Sequence, residues 1–120
     1  MSVWSIIQEE LEKNGIEAYP PGIKVGECKK EYVVVRQSGG NQIGQLSSEQ
    51  IYYDFMLYVP KNKYHTLEDF ENRVKEVLDK EPIYPMLMPT GSHDPDFYDD
   101  EVKAHMRSFL YRNTRRNKHL

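Results

Sequence analysis

A single cysteine, Cys28, in a chain of 120 residues excludes an internal disulfide and any thiolate cluster for zinc. Long apolar runs are missing too: no window approaches the ~18 consecutive apolar residues of a membrane-spanning helix. Basic charge is in deficit, with 16 Lys plus Arg against 19 Asp plus Glu and a net charge of −3, so no overall positive field draws the chain to nucleic acid or anionic lipid. The first residues lack a basic lead-in and meet Gln8, Glu9 and Glu10 before a signal-peptide core is complete, so a cytosolic chain without a secretion signal is expected. Phenylalanine and tryptophan are scarce, at four and one, against nine tyrosines. A tyrosine ring buries area while its hydroxyl keeps a polar partner, which suits half-wet interfaces. The hydrophobic share of 38% supplies one modest core and hence one domain.

What the chain does have is an alternating run over residues 49–59. Ile51, Tyr53, Phe55, Leu57 and Val59 point to one face of a strand, and Tyr52, Asp54, Met56 and Tyr58 point to the other. Both faces are largely apolar or aromatic, so this strand needs cover on two sides. A chain of this length supplies about one helix layer, and the second cover is expected from another subunit. The protein therefore reads as an assembly subunit, with Tyr52, Met56 and Tyr58, and Phe97 and Tyr98 from a later segment, as candidate interface residues.

Around this run the remaining elements fall in order. Val3, Trp4, Ile7 and Leu11 recur at helical spacing, with Ser2 as N-cap and Gly15 as stop, and predict a helix over 3–13. Ile16 and Ala18 alternate with Glu17 into a short edge strand, ended by Pro20-Pro21-Gly22 because proline has no N–H for a ladder. Residues 23–28 are expected to continue extended, and Tyr32 to Val35 mark a strand over 31–37. Ser38-Gly39-Gly40-Asn41 opens a polar hairpin loop reaching Ser48. Thr66 is expected to cap a second helix in a capping box with Asp69, with Leu67, Phe70, Val74, Val77 and Leu78 as its apolar stripe and Pro82 as its limit. Residues 83–88 read as a short strand and 89–100 as a long exposed loop. Val102, Ala104, Met106, Ser108 and Leu110 alternate as a strand over 101–111. Residues 113–120, with Arg115, Arg116, Lys118 and His119, read as a disordered basic tail. The expected fold class is α+β: an antiparallel or mixed sheet with two main helices packed on one face, in a single domain over residues 1–112.

Catalytic and metal chemistry finds little footing. Residues 93–101 gather His93 with Asp94, Asp96, Asp99, Asp100 and Glu101, groups that hold a hard cation or share a proton when they converge. The spacing matches no calcium loop, because the glycine of the sharp turn is missing and Pro95 restricts the backbone where ligands would curl inward. His65 and His105 lack a second ligand at metal spacing, and Cys28 lacks a neighbouring base. The glycines at 39, 40 and 44 are not followed by the Gly-Lys-Ser/Thr of a phosphate loop. No catalytic residue, cofactor-binding residue or metal ligand is assigned.

Three pieces carry a resemblance to a known family. They are Tyr-Asp-Phe-Met-Leu-Tyr-Val-Pro at 53–60, Leu-Glu-Asp-Phe-Glu-Asn-Arg-Val-Lys-Glu-Val-Leu at 67–78, and Asp-Phe-Tyr-Asp-Asp-Glu-Val-Lys-Ala-His-Met-Arg-Ser at 96–108. In element order, over residues 16–111, the chain resembles the tail terminator or tail-completion proteins of long-tailed phages and of phage-tail-like bacteriocin particles. The resemblance implies a small α+β subunit that forms a hexameric ring on the last ring of the tail tube, stops polymerisation and presents a surface to the neck, collar or head. It implies the tube protein as partner, with sheath and neck or connector proteins beside it, DNA passing through the ring without being read, and a place in a virion or tail-like particle assembled in the bacterial cytoplasm. That family has no catalytic signature, so no residue role is carried over. Three other readings stand beside it: a head-tail connector or head-completion protein, a small metal-dependent enzyme using residues 93–101, and a nucleic-acid binder using the basic tail at 112–118.

Overall fold

The computed structural model describes residues 2–42 and 48–116. The fold is α+β, built on one five-stranded mixed sheet in the order β1-β2-β3-β5-β4. The strands are β1 (Ala18–Tyr19), β2 (Tyr32–Gln42), β3 (Ser48–Pro60), β4 (Met88–Asp99) and β5 (Ala104–Arg116). Only β1 runs parallel to its neighbour, and the other pairings are antiparallel. β3 is the central strand, held on one side by β2 and on the other along its whole length by β5, from Ser48 opposite Arg116 to Pro60 opposite Ala104.

Two helices, α1 (Val3–Lys13) and α2 (Leu67–Leu78), cover one face of this sheet. The Ser2 hydroxyl accepts the Ser5 N–H at 3.1 Å and caps α1, and Gly15, at φ 77°, takes the left-handed conformation that ends it. Ile7 and Leu11 of α1 and Leu67, Phe70, Val74 and Leu78 of α2 are buried against Val33, Val35, Ile51, Tyr53, Phe55, Leu57 and Val59. The α1 layer is also tied to the sheet by the Trp4 indole N–H, which donates to the Val35 carbonyl at 2.7 Å. Trp4→Phe keeps an aromatic ring, though a smaller one, and orphans that carbonyl, and a loss of about 1 kcal/mol in urea unfolding is expected.

Several segments differ from what the sequence pattern suggests. Most of residues 89–100 belongs to edge strand β4 (Met88–Asp99) rather than to a loop, because pairing to β5 overrides the poor strand propensity of Pro, Gly and Asp. Register shifts between Pro89 and His93 and between Asp94 and Phe97 absorb Gly91 and Pro95, at an edge where a missing N–H costs little. Residues 83–88 are not a strand. Pro82 and Pro85 interrupt the extended pattern, and turns closed by Tyr84 N–H to Lys80 O and Leu87 N–H to Ile83 O bury Ile83 and Leu87. β2 continues to Gln42 through a register shift between Gln37 and Gly40, so 38–42 belong to the strand, and 43–47 lie outside the described residues. The Thr66 hydroxyl donates to the Lys63 carbonyl at 2.7 Å, closing a 3-10 turn over Tyr64–Thr66, so no capping box with Asp69 forms. Finally, β5 runs through Arg116 and buries Asn113, whose side-chain amide donates to the Met86 carbonyl at 2.7 Å. The first half of the expected tail is therefore sheet, and 117–120 lie outside the described residues.

Candidate assembly surface

Strand alternation places a second set of side chains on the face away from the helices. From β3 come Tyr52, Asp54, Met56 and Tyr58; the register sets Arg36, Val34 and Tyr32 of β2 beside the last three, and Arg112, Leu110, Ser108 and Met106 of β5 beside all four in turn. From β4, Asp94 lies opposite Ser108 and Phe97 opposite Met106. Arg36 and Asp54 form a cross-strand ion pair at 2.7 Å in the middle of this face.

Among the described residues no helix covers this side. Instead the connection 20–31, between β1 and β2, acts as a strap across one end of it. The Cys28 N–H donates to the Val102 carbonyl in the β4–β5 turn at 2.6 Å, so the strap reaches the opposite edge of the sheet before returning to β2. Under it, Cys28, Tyr32, Val34 and Ala104 are buried, with Tyr19, Met56, Tyr58 and Val102 packed around them. Tyr32 stacks on Tyr58 at 4.9 Å and meets Tyr19 edge-on at 5.9 Å, and Lys24 of the strap sits 5.2 and 5.1 Å from the Tyr19 and Tyr32 ring centres. Burial pushes the Tyr32 and Tyr58 hydroxyls up from their ordinary values. The strap thus replaces the extended conformation expected for 23–28, since positive-φ Gly22 and Gly26 turn the chain away from the sheet.

Of the candidate interface residues, Tyr52, Met56, Tyr58 and Phe97 share this face. Met56 and Tyr58 are half-buried because the strap cluster covers part of them, Tyr52 lies beyond the strap, and Phe97 is 50% exposed. Tyr98 is on the other side, opposite His105, and its ring lies 5.1 Å from the imidazole, with Tyr64 at 4.7 Å from the same imidazole. The two most exposed aliphatics of the strap, Ile23 at 60% and Val25 at 82%, carry no periodic pattern that would have marked them.

The acidic segment is dispersed along β4. Asp94 accepts the Ser108 hydroxyl at 3.2 Å, and Asp99 accepts the Glu101 N–H at 3.0 Å. Asp96 receives Arg107 through Nε at 2.9 Å and Nη2 at 2.8 Å, and also the Tyr64 hydroxyl at 2.9 Å. Those hydrogen bonds hold the Asp96 carboxyl below the usual carboxylate range. The other arm of Arg107 reaches Glu71 of α2 at 2.9 Å, where Lys75 also binds at 2.7 Å. Burial pushes the Glu71 carboxyl up, but these cations outweigh it and the net direction is down. Among the described residues no three His, Cys, Asp or Glu side chains converge as a metal set. Arg107 was invisible to the alternation of Val102, Ala104, Met106, Ser108 and Leu110, because the helix-facing set of β5 is the other one, with Arg107, Phe109, Tyr111 and Asn113. Searched against protein-family models and curated proteins, the chain matches none.

Proposed function

We propose that this protein is a structural ring subunit that closes the end of a phage or phage-tail-like tube, stopping its polymerisation and joining it to the neck or collar. The observation that carries this reading is the sheet face beyond the strap, where Tyr52, Leu110 and the rim of Met56 stay partly open on the side away from α1 and α2. An apolar sheet face rimmed by charge is the ordinary signature of a surface that another protein covers. The family resemblance of residues 53–60, 67–78 and 96–108 supplies the ring and the tube as the setting. A hexamer closed head to tail covers one such face per subunit and leaves no member unsatisfied.

The test is a mass measurement of the purified protein, alone and with its tube protein, followed by electron microscopy of tubes grown with and without it. Multimers of the chain seated at tube ends, and overlong or ragged tubes in its absence, are expected. A strict monomer that leaves tube length unchanged overturns the reading, and copurification with a portal rather than a tube moves it to the connector class.

A further inference from the structure

The strap covers the sheet in a different way from the helices. From Pro21 to Lys30 every residue is exposed except Cys28. The segment belongs to no helix or strand, and among the described residues its backbone tie across the sheet is the Cys28 N–H to the Val102 carbonyl at 2.6 Å. What lies beneath differs as well. The helix side is filled mainly by aliphatic residues and phenylalanine, whereas the strap lies over Tyr19, Tyr32, Tyr58 and Met56, and a tyrosine ring tolerates water at its hydroxyl end.

Both feet of the strap are fixed. On the way in, Tyr19 is paired in β1 and its hydroxyl donates to Glu17 at 2.6 Å. On the way out, Glu31 binds Arg73 of α2 at 2.6 Å, and Lys30 reaches back to Glu17 at 3.0 Å, which ties one foot to the other. The span between the feet is held down at two points: the enclosed Cys28 with its N–H, and the Lys24 ammonium over the Tyr19 and Tyr32 rings. Gly22 and Gly26 bracket Lys24 at φ 85° and 83°, and nothing stands within 4 Å of where a Cβ would be, so the chain can turn at both without meeting a neighbour. Few enclosed apolar groups and an unpaired backbone give a segment an opening free energy below that of the whole domain. We infer that the strap is a hinged cover that opens as a unit while the sheet and both helices stay folded, and so uncovers Tyr32, Val34, Met56 and Tyr58.

Opening extends the uncovered side of β3 from Tyr52 as far as Tyr58, with Val34 and Tyr32 of β2 beside Met56 and Tyr58. How much apolar and aromatic surface the chain displays is then set by an equilibrium within the fold itself. The inference concerns the chain's own cover and stands apart from the ring-subunit reading, so either can fail without the other.

Cys28 reports the opening, because it is the sole cysteine of the chain and is 4% exposed beneath the strap. The full-length protein is labelled with N-ethylmaleimide in increasing urea and followed by mass, at reagent concentrations where the rate scales with reagent and therefore reads the open fraction. In low urea the logarithm of the rate is expected to rise with well under half the slope of global unfolding, since opening exposes a small part of the surface that unfolding does. Lys24→Gln removes the clamp on the two rings and is expected to raise the rate without urea by about two- to fivefold, the range for an exposed cation–π contact, with Lys24→Arg close to the parent. Ile7→Val removes one methyl group from the buried face of α1 and is expected to lower the urea midpoint while leaving that rate unchanged, because closed and open forms share the same helix-side core. Labelling that follows the global slope down to zero urea, or that Ile7→Val accelerates by the factor by which it lowers the folding constant, overturns the inference, since Cys28 is then reached only by unfolding the whole domain. Labelling as fast as that of an unfolded peptide overturns it as well, because the strap is then not closed to begin with.

Discussion

Phe55→Ala is expected to cost about 3–5 kcal/mol of folding stability, the range for deleting a fully enclosed aromatic ring. Phe55 has no exposed surface and sits at the centre of β3, with the Phe109 ring stacked at 5.5 Å and the Tyr111 ring edge-on at 5.5 Å. Both partners come from β5, and α1 and α2 close the cluster from above, so removal of the ring leaves a cavity between sheet and helices that a covered β-strand cannot collapse into. Against a total stability on the order of 5–15 kcal/mol for a domain of this size, that is a large share. The melting temperature is expected to fall by roughly 10–20 °C. Phe55→Leu, which keeps most of the volume, is expected to lose less than half as much. Urea unfolding of the three proteins provides the comparison, and an alanine variant that loses under about 1 kcal/mol would mean that the core is not organised around this trio.

The elements with strong periodicity were legible in the sequence. The α1 pattern ended at its glycine, the α2 stripe ended at Leu78, and the alternation over 49–59 marked the central strand, because in each case a single period of apolar residues had one covered face to satisfy. β4 was not legible. Met-Pro-Thr-Gly-Ser-His-Asp-Pro-Asp-Phe-Tyr-Asp has the composition of a loop, and it is a strand because β5 offers it a ladder and its two irregularities accommodate the residues that dislike one. For β5 the pattern offered two alternating sets, and the one that faces the helices is the set with arginine in it. A charged residue at an inward strand position reads as an argument against burial unless its partners, 11 and 36 residues away in sequence, are known.

For the candidate surface, the two-sided apolarity of β3 was visible, but its division into a covered and an uncovered half was not. That division depends on a segment with no period at all. Residues 20–31 contain two prolines, two glycines and three lysines, and nothing in that composition announces that Cys28 will reach the β4–β5 turn. The physical outcome is a sheet sealed by helices on one side and by a strap over part of the other. The demand for a second cover is thus smaller than the sequence suggests, and it is concentrated near Tyr52 and Leu110.

Arg107→Met is expected to lose about 2 kcal/mol at neutral pH, and the loss is expected to shrink in acid. Methionine keeps an unbranched stem for packing and removes the charge, so the difference reports the ion network rather than a cavity. In the parent the Arg107 side chain is only 24% exposed and its guanidinium binds Asp96 and Glu71 at once, which joins the bulged edge of the sheet to α2. Without it two partly buried carboxylates are left facing each other with fewer donors, and an uncompensated partly buried charge costs more than the pair contributes net. The pH dependence follows from the directions of the shifts. Both carboxyls titrate below their ordinary values in the folded protein, so they bind fewer protons folded than unfolded, and their contribution is complete above about pH 4–5. It declines as the pH falls through the folded values and is gone once both groups are protonated. In the variant the same carboxyls lack Arg107 and repel each other, so protonation relieves them instead. Unfolding free energies of the two proteins measured from pH 7 to pH 2.5 are therefore expected to converge below about pH 4, with most of the slope belonging to the parent. A gap that stays constant across that range would place the contribution of Arg107 in the packing of its stem and not in its ion pairs.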